Sequence, residues 1–169
     1  MTISIGYIAD RTRQRALCNI VCGALGVIGF AMLLGTHNNH VKYAGVFLGA
    51  AGIYPCIPNT IVWASNNFEG VYKRGVMMGL VIGWGNLNGV VSSNIYRAID
   101  KPQYTLGHAI VLAYMALFLL GGSVLLRQLL VLENKKRRNG ERDGLGEGLN
   151  EEEKIHELGD KRADFFYTL

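Results

Sequence analysis

The chain has 169 residues, half of them hydrophobic and 18% charged, with 17 basic and 13 acidic side chains for a net charge of +4. As averages these values fit many soluble domains, but they hide a division: of the 30 charged residues, 18 lie between Glu133 and Leu169 and only 12 in the first 132 positions. That split excludes one uniformly solvated domain. The three cysteines, Cys18, Cys22 and Cys56, all fall in apolar runs without CxxC spacing, so neither a disulfide framework nor a metal site is expected and they read as small buried hydrophobes.

Residues Thr2–Ala9 are apolar but too few to cross a bilayer, and they read as the tip of an earlier helix or as a short interfacial turn. Arg11, Arg13 and Arg15 then precede the first long apolar run and no cleavage site follows it, which is not the layout of a secretory signal. Four stretches free of Asp, Glu, Lys and Arg come next: 16–35, 43–67, 75–96 and 106–126, the second ending as a helix near Ser65 where the sequence turns polar. Each offers about 20 residues or more, enough at about 1.5 Å per residue to cross about 30 Å of hydrocarbon. Within lipid such runs must be helical, because each backbone amide needs a partner from its own segment. The expected fold class is therefore an all-α integral membrane protein with four transmembrane helices, a transmembrane region over 1–132 and a charged cytoplasmic tail over 133–169.

Lys and Arg in the flanks set the direction. Ten flanking positives (Arg11, Arg13, Arg15, Lys73, Arg74, Arg127, Lys135, Lys136, Arg137, Arg138) lie on one side, against Lys42, Arg97 and Lys101 on the other. Both termini are expected in the cytoplasm, as four crossings require. Glycines four apart at Gly45/Gly49, Gly75/Gly79/Gly83 and Gly85/Gly89 predict close helix packing, with the third span placed between other helices.

Polar side chains in the spans are few. Pro55, Asn59, Trp63 and Asn66 recur at helical spacing on one side of the second span, where the Pro55–Pro58 pair removes two amide donors and is expected to distort the helix. Asn59, Trp63 and Asn66, with Asn86 on the third span, are the candidate substrate-binding residues; hydrogen bonding to neighbouring helices is the competing role for these amides. No charged side chain falls inside the spans as drawn, so no proton-coupling carboxylate and no cation for an anionic substrate is evident. His108 reads as a structural hydrogen-bond partner, and the His37–His40 pair as a solvated turn. Gly83–Gly85 and Gly144–Gly148 lack the context of nucleotide-binding loops. No cofactor, metal, nucleic-acid partner or enzymatic activity is expected. In the tail, a basic cluster suited to anionic lipid headgroups leads into a Gly-rich stretch expected to be disordered. Asn150 with Glu153 then signals a short helix over 151–158 stopped by Gly159; the end carrying Phe165, Phe166 and Tyr167 is expected to be solvated, with docking onto the bundle or a partner as the alternative.

Several ordered motifs carry a resemblance. Gly6-x-x-Ala9-Asp10-Arg11-x-Arg13-x-Arg15 resembles the cytoplasmic loop motif of the major facilitator superfamily. Trp63-Ala64-Ser65-Asn66-Asn67, Lys73-Arg74-Gly75, Gly85-Asn86-Leu87-Asn88-Gly89-Val90-Val91, Ile95-Tyr96 and Pro102-x-Tyr104-x-x-Gly107-His108 look like the fungal anion:cation symporters, which include allantoate and nicotinate permeases. Leu158-Gly159-Asp160-Lys161 and Phe165-x-Tyr167-x-Leu169 look like that family's cytoplasmic end. The resemblance implies that the four spans are helices nine to twelve of a C-terminal half. It places Asn59 and Trp63 on a cavity-lining helix, gives Asn86 a secondary role, and makes Asp10, Arg11 and Arg15 a charge latch of the gating loop. It further implies a small organic anion substrate, carboxylate or vitamin-like, proton coupling in the full-length parent, a plasma-membrane location, and an N-terminal transporter half as missing partner beside membrane lipids. The chain alone, as a fragment, is then expected to be inactive. The alternative is a free-standing four-helix structural or regulatory subunit that self-associates through its glycine faces.

Overall fold

A computed structural model describes residues 1–36, 38–96, 104–142, 144, 148 and 150–169. His37, the loop positives Arg97 and Lys101 with Pro102, and most of the Gly-rich stretch 143–149 lie outside the described residues. The described chain is helical throughout: α1 (Thr2–Thr12), α2 (Arg15–Gly35), α3 (Asn39–Asn66), α4 (Val71–Ile95), α5 (Thr105–Arg138) and α6 (Glu151–Glu157), the last followed by a 3-10 turn over Gly159–Lys161. Four of them, α2 to α5, are long and apolar enough to cross a membrane.

Each spanning helix begins at least one residue before its predicted apolar run, and α4 stops at Ile95, one residue short of the end of its run. Charged residues end a hydrophobic run without ending a helix, so Lys73 and Arg74 sit in the first turn of α4 and α5 runs on through Lys135–Arg138. The helix ends coincide instead with backbone punctuation. Arg13 (φ 53°) closes α1 in the left-handed conformation, and Gly70 (φ 88°) precedes α4. The basic last turn of α5 also complements the negative end of its helix dipole. α3 runs through both Pro55 and Pro58. A seven-residue π-helical stretch, Met115–Gly121, interrupts the regular winding of α5, a register change of the kind that redirects side chains within a span.

The tightest packing is between α2 and α3, and glycine makes it possible. A Cβ on Gly29 would lie 2.7 Å from the Gly45 carbonyl oxygen, and one on Gly45 would lie 2.9 Å from the Gly29 carbonyl oxygen. Gly52 lies equally close to the backbone of Cys22 and Gly26. With lipid tails as apolar as the side chains, close backbone approach and dispersion drive this contact rather than exclusion of water. Met115, at the start of the π stretch, covers Gly26 and is itself buried.

α4 is the contrast. It packs lightly against α3, none of its residues is buried, and nothing lies within 4 Å of a Cβ built on Gly75, Gly79, Gly83, Gly85 or Gly89. Among the described residues no helix covers these glycine faces, so the neighbours expected for the third span are not among them. One consequence is testable on this chain. Gly79→Ala should leave its thermal stability unchanged or raise it by up to about 1 kcal/mol, the helix-propensity difference at an open site. A fall in the unfolding midpoint would show that the face is covered.

Candidate functional site

The chemistry of the fold concentrates where α1 turns into α2. Only Arg13 and Gln14 separate the two helices, so Asp10 on the last turns of α1 comes beside Arg15, the first residue of α2. The Arg15 guanidinium donates through Nη2 to the Asp10 carboxylate and through Nη1 to Asn59 Oδ1 at 3.0 Å. Asn59 Nδ2 donates back to the Arg15 carbonyl at 2.8 Å and to Asn19 Oδ1 at 2.8 Å, and Asn19 Nδ2 donates to Thr60 Oγ1 at 3.0 Å. Arg15, Asn19 and Asn59 are all buried, with 6%, 1% and 4% exposure. A cation in the first turn of a helix opposes the helix dipole, and burial adds a desolvation cost. The Asp10 carboxylate and the Asn59 amide oxygen offset both.

The charge-free run begins at Ala16 and contains no cation, whereas α2 begins one residue earlier and takes Arg15 with it. The proposed latch and the second-span amide, separate in the sequence, are one network. Of the three loop residues, Asp10 and Arg15 pair, while Arg11 is exposed and donates to Tyr7 on its own helix at 3.2 Å. Asn19 was missed. Its signal was a single amide in an otherwise apolar run, which in hydrocarbon demands a partner.

Trp63, one turn beyond Asn59, is buried and donates through Nε1 to the Thr168 carbonyl at 2.8 Å. Asn66 is exposed at the end of α3 and takes no part in the Arg15 network, whereas its neighbour Asn67 is buried and engages Thr168. Asn86 is exposed on α4. It lines a crevice of about 480 Å³ between α3 and α4 with Cys56, Ile57, Thr60, Val81 and Leu119. Thr60, Val81 and Leu119 also border a second crevice of about 360 Å³, which reaches Asn19, Trp63 and Ser123. The fold thus joins Asn59 to Asp10 and Arg15, directs Trp63 to the tail, and sets Asn86 on the open apolar crevice. Asn88 donates to Tyr114 on α5 at 3.2 Å, a helix-to-helix contact, and His108 on α5 shares a hydrogen bond with Tyr96, the residue after α4, at 3.2 Å. Among the described residues no group of three metal-binding side chains is found.

These features define a class: a multi-pass, all-helical membrane protein with an ion pair at one end of its bundle, its arginine buried and its aspartate exposed, and an apolar crevice between spans. Comparison with known proteins gives the class its content. The chain is 32% identical to an uncharacterized transporter of Schizosaccharomyces pombe over 98% of this chain and 32% of that protein. It is 30% identical to the MFS-type transporter cnsO of Penicillium expansum over 99% of this chain and 33% of that protein. To the high-affinity nicotinic acid transporter of Saccharomyces cerevisiae it is 33% identical over 94% of this chain and 29% of that protein. The chain therefore spans about a third of the length of the relatives it matches, which are named as transporters and not as enzymes. No family model and no solved structure matches it.

Proposed function

We propose that this chain is the last third of a secondary transporter for a small organic anion, helices nine to twelve of a major facilitator fold of the anion:cation symporter kind. The observation that carries the reading is the similarity to transporters along nearly the entire chain. Three structural features support it. The open glycine faces of α4 suit helices supplied by the other two thirds of a longer protein. The α3–α4 crevice gives such helices an apolar wall with one exposed amide, Asn86. The Asp10–Arg15 pair at the α1–α2 turn is a charge contact of the kind that holds one gating state.

In this reading the basic end of the bundle, with Arg13, Lys73, Arg74 and Lys135–Arg138, faces the cytoplasm and both termini lie there, in the plasma membrane. Asn86 touches substrate, while Asn59 and Trp63, whose polar atoms are engaged within the chain, position the cavity wall from behind; Asn66 stands at the cavity's cytoplasmic mouth. None of the four spanning helices carries an acidic side chain before Glu133, so proton coupling draws its carboxylates from the rest of the parent. Alternating access needs two halves moving about one site, which makes the chain inactive by itself.

A chimera tests this. The matching third of the Saccharomyces cerevisiae nicotinic acid transporter is replaced by this chain and uptake of radiolabelled carboxylates is measured in a strain lacking the transporter. Uptake is expected, with Asn86→Ala raising KM several-fold and leaving surface abundance unchanged. A chimera that inserts and reaches the surface yet carries no anion would overturn the proposal.

A further inference from the structure

The chain's last ten residues do not trail into solvent but lie in a built groove at the basic end of the bundle. Two buried asparagines, Asn67 just past the end of α3 and Asn134 on α5, read the backbone there. Asn67 Oδ1 accepts from the Thr168 amide at 2.8 Å and Asn67 Nδ2 donates to the Thr168 carbonyl at 3.1 Å. On α5, Asn134 repeats the pattern one residue earlier: its Oδ1 accepts from the Tyr167 amide at 2.9 Å and its Nδ2 donates to the Tyr167 carbonyl at 2.9 Å. Trp63 adds a donor to the Thr168 carbonyl at 2.8 Å. Paired donation and acceptance against consecutive residues is how an extended peptide is recognised through its main chain. Here side-chain amides take the place of a sheet edge.

Arg137 anchors the other end of the segment. It is 5% exposed, donates to the carbonyls of Asp160 (2.9 Å), Arg162 (3.2 Å) and Phe165, and stacks its guanidinium 4.3 Å from the Tyr167 ring centroid. A buried guanidinium is costly unless its donors are used and its face is covered; the tail takes up both Nη groups and covers the face, while Nε lies 3.8 Å from the Glu133 carboxylate. Asp160 in turn pairs with Lys73 on α4, and Arg162 pairs with Glu69 in the α3–α4 turn at 2.8 Å. The segment therefore touches α3, the turn after it, α4 and α5 together. α4, with no buried residue, has few other ties.

We propose that Trp63, Asn67, Asn134 and Arg137 form a peptide-recognition groove whose ligand is the chain's own terminal segment, and that occupancy of the groove fixes the basic end of α4 against the bundle. The site has definite selectivity: main-chain pairing accepts any extended strand, while the Arg137 stack demands an aromatic at position 167 and Lys73 demands an acid at 160.

The test uses the full chain in lipid nanodiscs, with Cys18, Cys22 and Cys56 replaced by alanine, and does not depend on transport. Spin labels on Tyr72→Cys and Phe166→Cys, both at exposed positions, report docking. A second pair on Tyr72→Cys and Arg13→Cys reports α4. Each should give one narrow distance population. Arg137→Ala should abolish both narrow populations. So should Thr168→Pro, which removes the amide proton that Asn67 accepts and stiffens the adjoining backbone without truncating a core side chain, and so should excess synthetic peptide of residues 158–169 displacing the tail. Should Arg137→Ala prevent folding, the proline variant and the peptide decide. A broad tail distribution in the parent, or narrow ones that survive both proline and peptide, would overturn the groove; release of the tail with α4 unmoved would overturn its control of α4.

Discussion

Asn59→Ala is expected to destabilise the folded chain by about 3–5 kcal/mol. The amide meets three groups at once, the Arg15 guanidinium, the Arg15 carbonyl and the Asn19 amide oxygen, all buried. Each buried group stripped of its partner costs about 1–3 kcal/mol, and a charged one more. Packing is not the main term, since alanine removes little apolar contact. Asn59→Asp should behave differently, because a carboxylate keeps an acceptor for the Arg15 guanidinium while removing the donor to Asn19 and to the Arg15 carbonyl. The check is the thermal unfolding midpoint in detergent for both variants beside Asn19→Ala, which loses the Thr60 bond and one of the Asn59 bonds but leaves Asn59 paired with Arg15, and should cost less. Equal midpoints for Asn59→Ala and the parent would mean that the network does not hold the two spans together.

The second large effect belongs to the α2–α3 seam. Gly52→Val should separate the helices, with a cost at or above the upper end of about 1–3 kcal/mol typical of overpacking. The obstacle to a Cβ is backbone of Cys22 and Gly26, which cannot swing aside as a side-chain tip can. Gly75→Val on α4 is the matched control, with open space around it. The helix-propensity term is similar at both positions, so the difference between them isolates the steric one. Comparable losses in the two variants would place the tight contact elsewhere.

Much of this architecture was legible in the residues because hydrocarbon imposes simple demands. A run such as 16–35 has one stable option in lipid, so the number and order of spanning helices follow from charge-free length alone. Helix ends were less legible: Lys73, Arg74 and the Lys135–Arg138 cluster interrupt hydrophobicity but are good helix formers, and the chain stops at Arg13, Gly70 and Asn139 instead. The capping pair Asn150–Glu153 was readable because it is local, and the Asn150 amide does donate to Glu153 at 3.0 Å. What no local rule gives is partner choice. Asn59 and Trp63 share a helix face, yet one meets Arg15 and the other Thr168, 105 positions away in sequence. The glycine spacing on α3 announced a close contact, but its counterpart on α2, Gly26 and Gly29 three apart, does not follow the four-residue pattern and went unread.

Everything above requires that most of the chain be solvated by lipid. Alkaline carbonate extraction of membranes from cells expressing the chain, combined with impermeant labelling of cysteines placed at Thr2 and Thr168, measures this directly. The account predicts that the chain stays in the pellet and that both ends label only after the membrane is opened from the cytoplasmic side. Release into the supernatant, or labelling of one end from each side, would contradict it.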